Sequence, residues 1–388
     1  MSLLPFVGTN HKLSGNVVNN FSLNVIGGYS QGTQKLEVGG AFNIDRGSVH
    51  GVQLAGVLNG AGETVKGIQV AGLVNANLDS MKGGQFAGLV NMDWRTATGF
   101  TGAGLVNFIH EDSRGVSMAG VGNFTLGSQR GPHFGGVFNF ATKDMKIAQV
   151  AGAMNFALGE TRGAQLGGAL NIGIGNIKGV QLAGALNLAA GTVQGAQVSG
   201  VMNYATRVKG VQLGLVNIAD SVRGVQLGFF SFAMKGYHAL EVAAEDVFYL
   251  NLAFRTGTRS FYNIFTTGLR PNESDSSVWS FGYGVGTAPK IYRKLYLNVD
   301  VTANQIVKGN DVEALNLLNK LYLGFDYQVS KFFAITAGAT LNVYVTENDY
   351  QNYPDIFTDY TPHFFQEKLT DNHLARLWWG AKVGVRFF

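Results

Sequence analysis

Side chains that could carry covalent chemistry are sparse in this chain. His110, His133, His238, His363 and His373 are scattered, with no HExxH and no paired spacing that would hold a metal. Glu241, Glu245 and Asp246 lie close together and read as a solvated rim rather than an acid–base pair. The absence of cysteine excludes thiolate ligands, disulfides and a cysteine nucleophile. Residues 284–290, GVGTAPK, complete no GxxxxGK[ST] phosphate loop and read as a turn. The sequence therefore predicts a non-enzymatic protein with no cofactor and no metal.

The chemistry that does recur is that of amides. A Gly-x-x-Asn unit places asparagine at Asn43, Asn59, Asn75, Asn91, Asn107, Asn123, Asn139, Asn155, Asn171, Asn187 and Asn203, each sixteen residues after the last. A shortened copy follows at Asn217, and a fading one ends at Ser231. A basic residue and a glycine open many copies, as in Lys66-Gly67 or Arg162-Gly163, with glutamine two residues later: Gln53, Gln69, Gln85, Gln165, Gln181, Gln197, Gln212 and Gln226. A side-chain amide donates and accepts at once. Stacked at a fixed period, such groups form ladders bonded above and below. Their expected role is structural.

The elements that hold them follow from composition. Glycine recurs in every copy and would cost a helix about 1 kcal/mol each time, whereas β-branched residues and period-two alternation indicate strands. An up-and-down barrel would alternate short turns and long loops, giving a 32-residue rhythm. None is visible, because the basic position recurs in adjacent copies (Lys66 and Lys82, Arg114 and Arg130, Arg162 and Lys178). The reading is a parallel β-solenoid with one coil per copy. Ala71-Gly72 is the expected tight corner, and the charged stretch Asp79 to Lys82 the other. The apolar columns outnumber the inward positions a thin coil offers, since neighbouring strand residues face opposite ways. One column is Val74, Val90, Val106, Phe138; another is Met92, Phe108, Phe124, Phe140, Phe156. At least one must face outward, against lipid or a partner.

Beyond residue 240 the pattern becomes plain alternation over about eight strands, near 239–246, 247–256, 260–269, 278–287, 292–306, 316–328, 331–346 and 375–388. Phe333, Ile335, Leu341, Val343 and Val345 oppose Thr336, Thr340, Asn342 and Tyr344, while Val383, Val385 and Phe387 oppose Lys382 and Arg386. Strands of this length, apolar on one side, suit a membrane barrel with Asp300, Asp326, Lys382 and Arg386 inside. Charged residues are only 14% and net charge is +4, which offers no nucleic-acid footprint. No run of eighteen apolar residues is present for a membrane helix. The opening MSLLPFVGTN has neither a charged start nor a long apolar stretch, and reads as a mature or trimmed chain or one exported by another route.

Residues 382–388, KVGVRFF, resemble the C-terminal signal of bacterial outer-membrane barrels, which implies recognition of Phe388 by a barrel-insertion machinery. Residues 39–231 resemble the Gly-x-Gln-x-Ala-Gly-x-x-Asn surface repeats of Bacteroidetes and spirochaete outer-membrane proteins, and NNFSLNVIGGYS resembles their lead-in. That resemblance implies a bacterial outer-membrane location and no assigned chemistry. The expected organisation is all-β. Residues 1–38 form lead-in strands or a cap, 39–235 a solenoid of 16-residue coils, and 236–388 a small antiparallel transmembrane barrel of about eight strands with a long loop at 346–374. Phe108, Phe124, Phe140, Phe156, Val343, Val385 and Phe387 are the expected lipid- or partner-facing residues. Tyr350, Tyr353, Phe357 and Tyr360 mark a candidate recognition loop. The expected function is a membrane or surface scaffold touching lipid and other envelope proteins; the alternatives are an autotransporter-like adhesin and a small pore or lipid-handling protein. About twelve coils at roughly 4.8 Å exceed the ~30 Å hydrocarbon core, so a membrane-associated solenoid is expected to lie near the membrane plane.

Overall fold

Sixteen residues suffice for two strands and two corners, and the computed structural model builds each copy that way. It describes all residues except 272–276, 311, 313–314, 348–364 and 369–371, and gives only the backbone of 365–368. In the copy around Asn75, a seven-residue strand Val65–Ala71 and a four-residue strand Val74–Asn77 are joined at 72–73, and 78–80 leads into the next copy. Both corners begin one residue away from the sequence expectation, because Ala71 ends its strand facing inward and Met81 already starts the next. Each strand pairs in parallel with its equivalents sixteen residues away: Asn75 lies between Asn59 and Asn91, and Gln85 between Gln69 and Thr101. About fourteen turns stack in this manner. They begin at Val18–Asn24, which pairs with Gly32–Gly39, and run to Phe230–Ala233. By packing, the chain divides into two compact units, residues 1–210 and 211–388.

The glycines are required by the stacking itself. Gly72 would carry a Cβ 2.0 Å from the Gly56 carbonyl oxygen. Gly67 sits at φ 139, where its Cβ would lie 1.9 Å from the Gly51 oxygen. At the equivalent place in one copy stands Ile147, forced to φ 83, a strained conformation for a β-branched residue.

Eight antiparallel strands make up the second architecture: Tyr237–Glu245, Leu250–Thr258, Phe261–Arg270, Val278–Thr287, Leu295–Lys308, Asn316–Gln328, Phe333–Glu347 and His373–Phe387. Each pairs with the next, and the first pairs with the last from Leu240↔Phe387 to Glu245↔Lys382, closing the barrel. The connections at 259–260, 288–294 and 329–332 define a short-turn end; those at 246–249, 271–277, 309–315 and the long 348–372 leave the other.

Candidate functional site

Five positions per coil point inward, and in the copy around Asn75 they are Val65, Gln69, Ala71, Asn75 and Asn77, all nearly inaccessible. Buried amides must be hydrogen-bonded, and here the repeat bonds to itself. From Asn43 to Asn187, each asparagine Nδ2 donates to the Oδ1 of the asparagine sixteen residues later, at 2.8–3.1 Å. Asn59, Asn75, Asn91, Asn107, Asn123, Asn139, Asn155, Asn171, Asn187 and Asn203 form one continuous column. The same Nδ2 also donates to the carbonyl eleven residues on, for example Asn75 to Phe86 at 2.7 Å. The glutamines run in the opposite sense: Gln69 donates to Gln53, Gln85 to Gln69, Gln165 to Gln149, Gln181 to Gln165 and Gln197 to Gln181, at 2.8–3.2 Å.

Several members of these columns escape motif reading. Gln149 is hidden because Ile147 replaces the glycine before it. Thr101, Ser117 and His133 interrupt the glutamine column, Thr101 donating to Ser117 at 2.9 Å. Gln129, one inward position away, reaches across instead and accepts from Gln149 at 2.9 Å. His133 turns its Nε2 to Ser113 Oγ at 2.9 Å, and burial pushes its pKa down to about 3, so the ring is neutral. Counting in sixteens from any copy finds these positions; a motif search does not.

Three carboxyls also lie in this interior. Glu37 accepts from Asn24 and Gln53 at 3.0 Å each. Asp45, bonded to the Ser30 hydroxyl, is pushed up to about 8 by burial and then by the Glu37 charge beside it. Asp93 accepts from Asn77 at 2.8 Å, but its Oδ2 and the Oε1 of Gln85 are both buried acceptors without a donor. One coil earlier, Asn77 and Gln69 bond reciprocally at 3.0 and 3.1 Å. A proton on Asp93 restores that reciprocity, and burial raises this carboxyl to about 7. The raised pKa fixes the sign of the pH dependence. The stability contributed is complete below the unfolded value near 3.9 and is lost as pH rises through 7. Asp93→Asn is therefore expected to raise solenoid stability at pH 8 by on the order of 4 kcal/mol, at ~1.4 kcal/mol per pKa unit, and to change little at pH 4. Urea unfolding followed by the adjacent Trp94 measures this; equal effects at both pH values refute it.

Outward, charge is confined to one corner. Asp112 meets Arg114 and Arg130 at 3.3 and 3.4 Å, and Glu160 meets Arg162 and Lys178 at 2.6 and 2.7 Å. The remaining outer columns are apolar. Ile68, Val70, Phe86 and Met118 are exposed on the long-strand face, and Leu73, Leu89, Leu105 and Val137 at the glycine corner. Phe108, Phe124, Phe140 and Phe156 line the short-strand face, half-buried by their own stacking; Phe140 and Phe156 lie parallel at 4.9 Å.

The barrel is inverted relative to a water-soluble domain. Its outer wall presents Leu252, Phe254, Phe281, Leu323, Phe325, Ile335, Trp379, Val383 and Phe387, all exposed, with Val343 and Val385 half-buried on the same side. Its interior holds ions. Glu241 meets Arg255 at 2.8 Å, Arg386 at 2.5 Å and Lys382 at 3.2 Å. Asp300 meets Arg255 at 2.9 Å and accepts from the Tyr262 hydroxyl at 2.6 Å. Asp326 lies 3.5 Å from Arg386. Glu245 pairs with Lys320, and Asp246 accepts from Trp378 at 2.6 Å. Glu241, Glu245 and Asp246 are thus not a solvated rim. Burial inside the closed barrel, created by long-range strand pairing, brings four cations from three other strands to the first two of them. Apolar clusters flank the ionic layer: Tyr237, Tyr262 and Ile264 with Phe388 at the short-turn end, and Phe248, Ile306, Tyr344 and Trp378 at the other.

Polar groups also occur on the outer wall, where the last coil sits. Asn263 donates to Gly228 O at 2.7 Å and accepts from the Ser231 amide at 2.8 Å; Thr256 donates to Ser231 O at 3.0 Å. Phe229 stacks on Tyr283 at 4.8 Å and meets Phe265 edge-on at 5.8 Å.

Tyr350, Tyr353, Phe357 and Tyr360 lie outside the described residues, as does most of the 346–374 loop. Among the described residues no three His, Cys, Asp or Glu gather as a metal-binding group, and no helix is long and apolar enough to cross a membrane. Comparison with protein-family models, curated proteins and solved structures finds no match.

Proposed function

We propose that this chain is a non-enzymatic integral protein of a bacterial outer membrane, anchored by its C-terminal barrel and serving as a scaffold at the envelope. The observation that carries this reading is the barrel's inversion: buried Glu241, Arg255, Asp300, Lys382 and Arg386 inside, and a band of leucine, valine and aromatic side chains outside. Water penalises both halves of that arrangement, whereas a bilayer rewards the apolar wall and leaves the paired ions shielded. The one long connection, 348–372, leaves a single end of the barrel, which fits the same picture. Residues 382–388, with their resemblance to an insertion signal, make the barrel-insertion machinery the natural first partner, and other envelope proteins the later ones.

The pore alternative is disfavoured by the packing. Eight strands leave an interior just wide enough for side chains, and Arg255, Arg386, Tyr262 and Trp378 fill it. The adhesin alternative requires a hydrophilic passenger, and the repeat's outer columns are apolar. Purified protein reconstituted into phospholipid vesicles is expected to resist carbonate and urea extraction, to show heat-modifiable electrophoretic mobility, and to give no ion conductance in planar bilayers. Extraction by carbonate refutes the membrane reading. Steady conductance supports the pore instead.

A further inference from the structure

The last coil of the repeat seats on the outer wall of the barrel. A stack of parallel strands ends in an open edge, and hydrocarbon tolerates no unpaired backbone there. Here Asn263 and Thr256, polar residues on an otherwise apolar outer wall, bond the Gly228 and Ser231 backbone groups of that end. In the last coils, the corner position that Leu73 and Leu105 fill in earlier copies is filled by Leu215 and Phe229, and Phe229 lies against Phe265 and Tyr283 of the wall. The apolar corner of these last coils therefore lies on the surface assigned to lipid.

From this seat, and from the same apolar corner in the earlier copies, we propose that the repeat is itself an interfacial membrane element. Its glycine–leucine corner and flanking apolar columns are immersed in the lipid of one leaflet, and its charged corner faces water. This rests on the membrane reading of the barrel. Within residues 1–210 alone, about twelve turns at ~4.8 Å each make roughly 58 Å, nearly twice the ~30 Å hydrocarbon core, so these coils lie along the bilayer rather than across it. The charges are arranged accordingly. Asp112, Arg114, Arg130, Glu160, Arg162 and Lys178 all sit on the corner opposite the Gly72 column, where each carboxylate pairs with two cations. The partner is the acyl region of a phospholipid leaflet.

The lack of native cysteine makes the test clean. Leu105→Cys and Val137→Cys probe the apolar corner, Glu111→Cys the charged corner, and Val383→Cys the barrel wall. Each full-length variant carries a nitroxide and is reconstituted into phosphatidylethanolamine–phosphatidylglycerol vesicles. Collision with oxygen reports lipid, and collision with a water-soluble nickel chelate reports water. Labels at 105 and 137 are expected to shift toward oxygen, matching 383, while 111 shifts toward the chelate. If 383 favours oxygen but 105 and 137 favour the chelate, the inference falls and the barrel reading stands. If 105 and 137 are shielded from both probes, a protein, such as a second copy, covers the corner and the lipid assignment is overturned. Chelate access at 383 overturns both.

Discussion

Glu241→Ala is expected to cost the barrel about 3–5 kcal/mol, because it removes one partner from a buried ionic cluster and strands the rest. Glu241 stands 2.8 Å from Arg255, 2.5 Å from Arg386 and 3.2 Å from Lys382. Without it, three buried cations share Asp300 and Asp326, an excess of one positive charge in a closed interior. Glu245→Ala serves as the comparison, since Glu245 neutralises Lys320 alone. The expected order is parent, then Glu245→Ala, then Glu241→Ala, read from urea midpoints of the barrel in detergent micelles. A Glu241→Ala barrel within about 1 kcal/mol of the parent, the range of solvated ion pairs, would mean that the lumen is hydrated and that the ions do not depend on one another.

The second large effect lies in the middle of the asparagine column. Asn139 donates to Val150 O at 2.8 Å and to Asn155 Oδ1 at 3.0 Å, and accepts from Asn123 at 2.8 Å. Asn139→Ala leaves three buried polar groups short of a partner at roughly 1–3 kcal/mol each, or on the order of 5 kcal/mol locally. In a repeat array each coil is stabilised by its neighbours, so the loss should divide the solenoid rather than lower it uniformly. Hydrogen exchange is expected to show accelerated amides in the coils on either side of 139, with those near Asn59 and Asn203 unchanged. Uniform acceleration throughout the repeat would show that the solenoid unfolds as one unit.

The period, the strand type and the registers of both columns were legible in the sequence because each is local. Asn75 and Asn91 announce their pairing by spacing alone. The eight barrel strands were legible through period-two alternation, which also placed Asp300, Lys382 and Arg386 on the inner side. What was not legible depends on contacts between distant segments. Glu241 looks like a rim residue until Leu240 is paired with Phe387, 147 positions away, and Arg255, Lys382 and Arg386 arrive beside it. Asn263 and Thr256 look like breaks in an apolar face until the backbone at Gly228 and Ser231 is seen to fill them. The exchange between His133 and Gln129 has no motif because the two residues trade columns.

The opposed senses of the two ladders have an electrostatic consequence. Every side-chain amide is a dipole, and a row aligned head to tail would accumulate partial charge at its ends, as the peptide units of a helix do. The asparagines donate toward the C-terminus and the glutamines toward the N-terminus. Wherever both columns carry amides their fields oppose one another, so those coils add little polarity to the stack as it lengthens. An array of this kind can add or lose copies at constant electrostatic cost per copy, even against a medium as poorly screening as lipid.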